Sequence, residues 1–175
     1  GVNAGVGNTT GTSNSFFGAS AGIGNTTGTS NSFFGVNAGI GNTTGFNNSF
    51  FGLNAGRYIA DGVTSNITAS NSVFIGEGTK ALADAQTNQI IIGQNAIGAG
   101  TNTVTLGNTS ITKTVLRGNV ETNGSVKVGD DITVASSANV GAIRYRVSGN
   151  NSYAEMCMQT GVSTYAWTTL VQHTW

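Results

Sequence analysis

Side chains capable of acid, base or nucleophilic chemistry are scarce in this 175-residue chain: seven Lys and Arg, seven Asp and Glu, one His and one Cys. Residues 1–56 contain no Asp, Glu, Lys, Arg or His, and Arg57 is the first charged side chain, so general acid–base chemistry is excluded from that third. Asp130 and Asp131 are adjacent; on a strand they would point to opposite faces, which makes them a poor catalytic pair and a better solvated turn. His173 is the only histidine, and no His-x-His pair stands beside it to suggest an axial metal. Cys157 has no partner for an intrachain disulfide and reads as a buried, reduced thiol among Met156 and Met158. The side chains best suited to recognition rather than reaction gather at the C-terminal end. Arg144, Arg146, Tyr153, Glu155, Tyr165, Trp167 and Trp175 combine rings that can stack on a ligand with groups that can hydrogen-bond to it. Each aromatic has a plainer role open to it, as a core position between copies of the chain.

The elements that must position these residues follow from periodicity. Asn14-Ser15-Phe16-Phe17-Gly18 returns as Asn31-Ser32-Phe33-Phe34-Gly35 and Asn48-Ser49-Phe50-Phe51-Gly52, each 17 residues on, and Gly-Asn-Thr-Thr-Gly at 7–11, 24–28 and 41–45 keeps the same step. Degenerate copies follow an insertion near 57–70: Asn71-Ser72-Val73-Phe74-Ile75-Gly76, then Asn88-Gln89-Ile90-Ile91-Ile92-Gly93, and finally Asn102-Thr103-Val104-Thr105-Leu106-Gly107 after a step of 14. Short fixed periods of this kind mean a solenoid. Every unit offers a β-prone run bounded by turn formers, so each coil should hold about two short strands. So flat a roll cannot enclose a thick core alone, and three copies around an axis would cover its Phe pairs. The expected architecture is therefore all-β and homotrimeric: a parallel β-roll over 1–107, a β connector of half-exposed strands over 108–140, and a three-strand antiparallel tip over 141–175. A composition break supports the separate tip, since all eight Phe lie at or before residue 74 while both Trp and three of four Tyr lie at or after residue 145.

Several motif readings are weaker than the repeat that explains them. Gly22-Ile23-Gly24 and Gly39-Ile40-Gly41 lack the spacing and the following helix of a nucleotide loop. Asn-x-Thr/Ser triplets at Asn8, Asn25, Asn42, Asn66 and Asn108 resemble glycan acceptors, but turn residues of a repeat explain most of them. Paired threonines (Thr9-Thr10, Thr26-Thr27, Thr43-Thr44) resemble an ice-binding array and equally the ordinary filler of polar strand faces. Repeated Asn could also present amides in layers around a trimer axis.

With 8% charged residues and zero net charge, against roughly 25% charged in an average domain, the surrounding field is weak; this argues against nucleic acid and anionic membranes as partners. No apolar run approaches the ~20 residues of a membrane span, so membrane insertion is not expected, nor does a signal peptide precede Gly1. The missing initiator Met is what a fragment of a longer protein would show.

The repeats around Asn71-Ser72-Val73-Phe74-Ile75-Gly76 resemble those of trimeric autotransporter adhesin heads, a family of left-handed parallel β-roll trimers. The stretch from Thr103 to Gly118, leading into Val140-Gly141-Ala142-Ile143-Arg144-Tyr145-Arg146 and closing on Tyr165-Ala166-Trp167, resembles the C-terminal ends of bacteriophage tail fibres, in particular of Acinetobacter phages. The 17-residue Phe-Phe units depart from the adhesins' 14-residue step. This resemblance implies a non-enzymatic fibre on the virion tail, outside the cell, joined to other tail or baseplate proteins. Its partner would be host capsular polysaccharide or lipopolysaccharide, and no cofactor is expected. Two rival expectations stand beside it. A capsule depolymerase would need two carboxylates about 5 to 9.5 Å apart beside a sugar cleft, which the sparse acids here do not suggest. A bacterial trimeric adhesin head would share the roll, though a tryptophan-containing end would be unusual there.

Overall fold

A computed structural model describes residues 1–126, 134–137 and 140–174. The chain divides into two compact units, Gly1–Val115 and Leu116–Trp175. The first is a parallel β-solenoid, the second carries a small antiparallel sheet, and there is no α-helix among the described residues.

Each solenoid coil supplies one strand: β1 Ser15–Phe17, β2 Ser32–Phe34, β3 Ser49–Phe51, β4 Val73–Ile75, β5 Gln89–Ile92 and β6 Thr103–Leu106. They pair in chain order, parallel and in register, so Phe16, Phe33, Phe50 and Phe74 fall in one column and Phe17, Phe34 and Phe51 in another. Neighbouring strands lie about 4.7–4.9 Å apart, and identical side chains in register must therefore stack at that distance. The inward column does so, with ring centroids 5.2, 4.8 and 4.6 Å apart, and Ile91 continues it. Fully buried Ala21, Ala38, Ala55 and Ala96 complete this thin core.

Glycine follows the first five strands because the chain turns there with φ between 129° and 143°, and a Cβ on Gly18 or Gly35 would lie 2.4 Å from the next coil's carbonyl oxygen. Where two strands per coil were expected, the described coils have one. The Gly- and Asn-rich remainder runs through successive turns, with Ser20, Asn37 and Asn54 at φ 57°, 57° and 54°, a left-handed conformation that breaks the regular extended backbone of a strand.

The repeated asparagines do more than turn the chain. Asn14 Oδ1 accepts the Asn31 amide N–H at 2.9 Å, Asn31 Oδ1 that of Asn48 at 3.0 Å, and Asn48 Oδ1 that of Ser72 at 3.1 Å. Their Nδ2 groups donate to the Gly28, Gly45 and Ala69 carbonyls at 2.7, 2.8 and 2.6 Å. A second file runs from Asn42 to Asn25 and from Asn25 to Asn8 at 3.1 and 2.8 Å. These amides satisfy backbone groups that the thin bore would otherwise bury unpaired, at about 1–3 kcal/mol each. Asn25, Asn42 and Asn66 are fully buried, which removes them as glycan acceptors. Asn25, Asn31, Asn42 and Asn48 are buried within the single chain. Thr9, Thr26 and Thr43 likewise use their hydroxyls on the next coil's carbonyls.

The insertion is absorbed without loss of register. Phe50 still pairs with Phe74, and the extra residues form a small excursion closed by a Tyr58–Ser65 bridge. Asp61 caps that excursion through Val63 N, Thr64 N and the Thr64 hydroxyl.

Residues 111–126 carry no strand and are exposed; half-exposed strands were expected in this part of the connector. Lys127, Val128, Asp130, Asp131 and Ile132 lie outside the described residues. In the second unit β7 Ile143–Ser148, β8 Asn151–Gly161 and β9 Thr164–Thr174 form an antiparallel meander. Ser148 pairs with Asn151, leaving a two-residue Gly149-Asn150 turn with Gly149 at φ 59°.

Candidate functional site

Two surfaces stand out, one on each unit. On the solenoid, the alternate residues of every strand face outward: Phe17, Phe34, Phe51, Ile75, Ile92 and Leu106, with Val73, Ile90 and Val104 beside the last three. Phe17, Phe51 and Leu106 are 64%, 56% and 55% exposed. The three Phe rings stack at 4.5 and 4.7 Å and, with Ser15, Ser32 and Ser49, line a shallow apolar groove of ≈ 630 Å³. An apolar strip continuous over six coils is the kind of surface that marks an interaction site.

On the tip, register decides which residues meet. Arg144 opposes Glu155, Arg146 opposes Tyr153, Cys157 opposes Trp167 and Gln159 opposes Tyr165. Directly opposed residues share a face, so six of the seven residues singled out from the sequence (all but Trp175) lie on one side of the sheet. Trp175 lies outside the described residues. Gln172, which opposes Tyr153, joins the same face, although the alternation Tyr165, Trp167, Thr169 would have put Val171 there. A bulge between Ala154 and Glu155 shifts the register and hides this neighbour from sequence parity. The opposite side is apolar and open, with Ile143, Tyr145, Val147 and Met158 all exposed.

Electrostatics divide the six residues further. Glu155 is 3% exposed and holds both arginines: Arg144 Nε reaches Oε2 at 2.7 Å, and Arg146 Nη2 reaches Oε1 at 3.0 Å. Each guanidinium also covers a ring, Arg144 over Trp167 at 4.0 Å and Arg146 over Tyr153 at 4.2 Å. Arg144 and Glu155 are buried in this network and organise it. Arg146, Tyr153, Tyr165 and Trp167 are only partly covered and can meet a ligand. Hydrogen bonding from Arg146, ahead of the opposing effect of burial and then of Arg144, holds the Glu155 carboxyl below its ordinary range. Glu155 in turn raises the Arg146 guanidinium further.

A pH dependence follows. Because the folded-state pKa of Glu155 is depressed, its contribution to stability is complete above the unfolded value near 4.5 and is lost as pH falls through the lower folded value. Thermal unfolding followed by tryptophan fluorescence, which reports the tip alone because both Trp lie there, should be flat above that pH and decline below it. Glu155→Gln should be less stable at neutral pH and lack this share of the acid response. An unchanged profile would show that the triad does not hold the sheet.

Other candidate chemistry is placed elsewhere. Cys157 is fully buried, its Sγ 3.8 Å from the Ser136 carbonyl oxygen, and His173 opposes Ser152 on the apolar side. No group of three His, Cys, Asp or Glu among the described residues could hold a metal. No described helix is long and apolar enough to cross a membrane. The chain matches no protein-family model, no curated protein and no solved structure.

Proposed function

We propose that this chain is the receptor-facing part of a homotrimeric bacteriophage tail fibre, carried on the virion tail, that attaches to host capsular polysaccharide or lipopolysaccharide without cleaving it. The observation that carries the binding reading is the single tip face along which Arg146, Tyr153 and Gln172, then Trp167, then Tyr165 are set out, with the buried ion-paired Arg144 and Glu155 between them. Half-covered rings with adjacent hydrogen-bonding groups suit sugars, whose C–H faces stack on aromatics while their hydroxyls need polar partners. Supporting the three-chain reading, both units expose a continuous apolar surface that further copies of the same chain would cover.

Three acids favour binding over hydrolysis. A glycosidase general acid needs a raised pKa, whereas Asp61, Asp84 and Glu155 are all shifted down. Asp84 is pushed up by burial, but donors on Ile67, Thr68 and Ala85 outweigh that.

The test is binding of the labelled protein to susceptible bacteria and to isogenic cells lacking surface polysaccharide, with reducing sugar followed in the same tubes. Binding only to the polysaccharide-bearing cells, with no sugar release, is the expected result. Tyr165→Ala and Trp167→Ala should each weaken binding about tenfold, the loss of one stacking contact. Sugar release would overturn the non-enzymatic reading, and equal binding to both cell types would overturn the glycan.

A further inference from the structure

We infer that the sugar held at the tip is acidic, bearing a carboxylate or phosphate that pairs with Arg146; this rests on the glycan-attachment reading above. Among the described residues, this face of the β7–β9 sheet carries Arg144, Arg146 and Glu155, two cations and one anion, hence a charge of 2 − 1 = +1. The anion is spent internally, with both oxygens occupied by guanidinium donors and its side chain 4% exposed, while the Arg146 side chain is 28% exposed. The excess positive charge therefore reaches the surface at Arg146.

Geometry suits this residue to a second anion. A guanidinium has five N–H donors. Nε and Nη2 of Arg146 engage Glu155 at 3.3 and 3.0 Å, and Tyr153 contributes a further contact to the same side chain. Donors remain for a ligand even so. The side chain is also fixed, bonded to Glu155 and lying 4.2 Å over the Tyr153 ring, so little rotamer freedom is lost when a ligand binds. Planar donor pairs recognise carboxylate and phosphate alike.

The rest of the molecule limits what kind of anion this is. Seven acidic residues balance seven basic ones over the whole chain, so no broad positive field draws in a polyanion. Nucleic acid would demand a row of phosphate contacts. A single pinned cation beside Tyr153, with Trp167 and Tyr165 two and three rows further along the same face, instead fits one charged residue within a longer glycan whose other rings can stack.

The experiment uses surface polysaccharide purified from a susceptible strain in three forms: native, carboxyl-reduced, and dephosphorylated with mild hydrofluoric acid. Binding of the full chain to each is measured by biolayer interferometry. One treatment should weaken binding at least tenfold, and which one does so identifies the anion. Arg146→Gln should bind the native polymer as weakly as the wild type binds the treated one, and should lose nothing further on the treated polymer; Arg146→Lys should recover part of the loss. Equal wild-type binding to all three forms would overturn the acidic-sugar inference while leaving attachment intact. Failure to bind any form, together with failure to bind polysaccharide-bearing cells, would overturn the attachment reading as well. The polymer comparison uses the unaltered protein, so it does not depend on how a variant folds.

Discussion

Phe50→Ala should destabilise the solenoid by about 3–5 kcal/mol, the usual loss for a buried Phe cut back to Ala, and a domain of ordinary stability would be largely unfolded by it. Phe50 is fully buried in the middle of the inward column, stacked on Phe33 at 4.8 Å and on Phe74 at 4.6 Å, so its removal breaks contacts on both sides. Gly56 adds to the effect, because it has no Cβ and lets the Phe50 ring pack within 2.5 Å of where one would be. Truncating the ring leaves a void that the close-spaced coils have little means of filling. Circular dichroism during chemical denaturation should show a lower midpoint at every protein concentration. A change of less than about 1 kcal/mol would mean that the inward column is not the core.

The adjacent residue should behave differently. Phe51 faces outward and is more than half exposed, as are its column neighbours Phe17 and Leu106. A charged substitution there removes nothing from the core of one chain. If three chains cover this strip, the roughly half of each Phe still exposed in one chain contributes about 0.7–1.5 kcal/mol, some threefold to tenfold in association for every chain at every position. The double variant Phe34→Asp, Phe51→Asp should therefore leave a folded single chain and abolish the three-chain species across the micromolar range. Its β-type circular dichroism should persist while its mass falls to the 17.7 kDa of one chain. A double variant that keeps the wild-type assembly would show that the outward column is not the contact. The pair of experiments separates two roles that look identical in the repeat, where both residues read simply as Phe-Phe.

The sequence made the spacing legible more fully than the direction of side chains. Phe-Phe at steps of 17 identified the strands of three coils and its degenerate copies those of the other three, and the register Ser15 to Ser32 to Ser49 follows directly from the step. The second strand expected in each coil does not form, because residues such as Asn37 and Gly39 take φ 57°, and sequence shows turn-forming residue types without saying that they will follow one another. The asparagine columns were visible as repeats, yet their role as buried hydrogen-bond ladders depends on the coil spacing that brings Asn31 Oδ1 within 3.0 Å of the Asn48 amide.

At the tip, alternation put Tyr165 and Trp167 on one face, as found. Their placement on the same face as Arg144 and Arg146 is a matter of register, set by the Gly149-Asn150 turn and by the irregularity between Gln159 and Gly161. That same register turned two of the presumed ligand contacts, Arg144 and Glu155, into a buried support for the others.

In the proposed fibre the chain is one of three, its apolar strips covered by copies of itself. Sedimentation velocity of the purified chain, diluted from tens of micromolar to below one micromolar, tests this directly. A single boundary at three times 17.7 kDa, unchanged on dilution, is the result expected. A well-folded species of 17.7 kDa across the same range would contradict it, because the outward Phe, Ile and Leu column would then be stable in water with nothing to cover it.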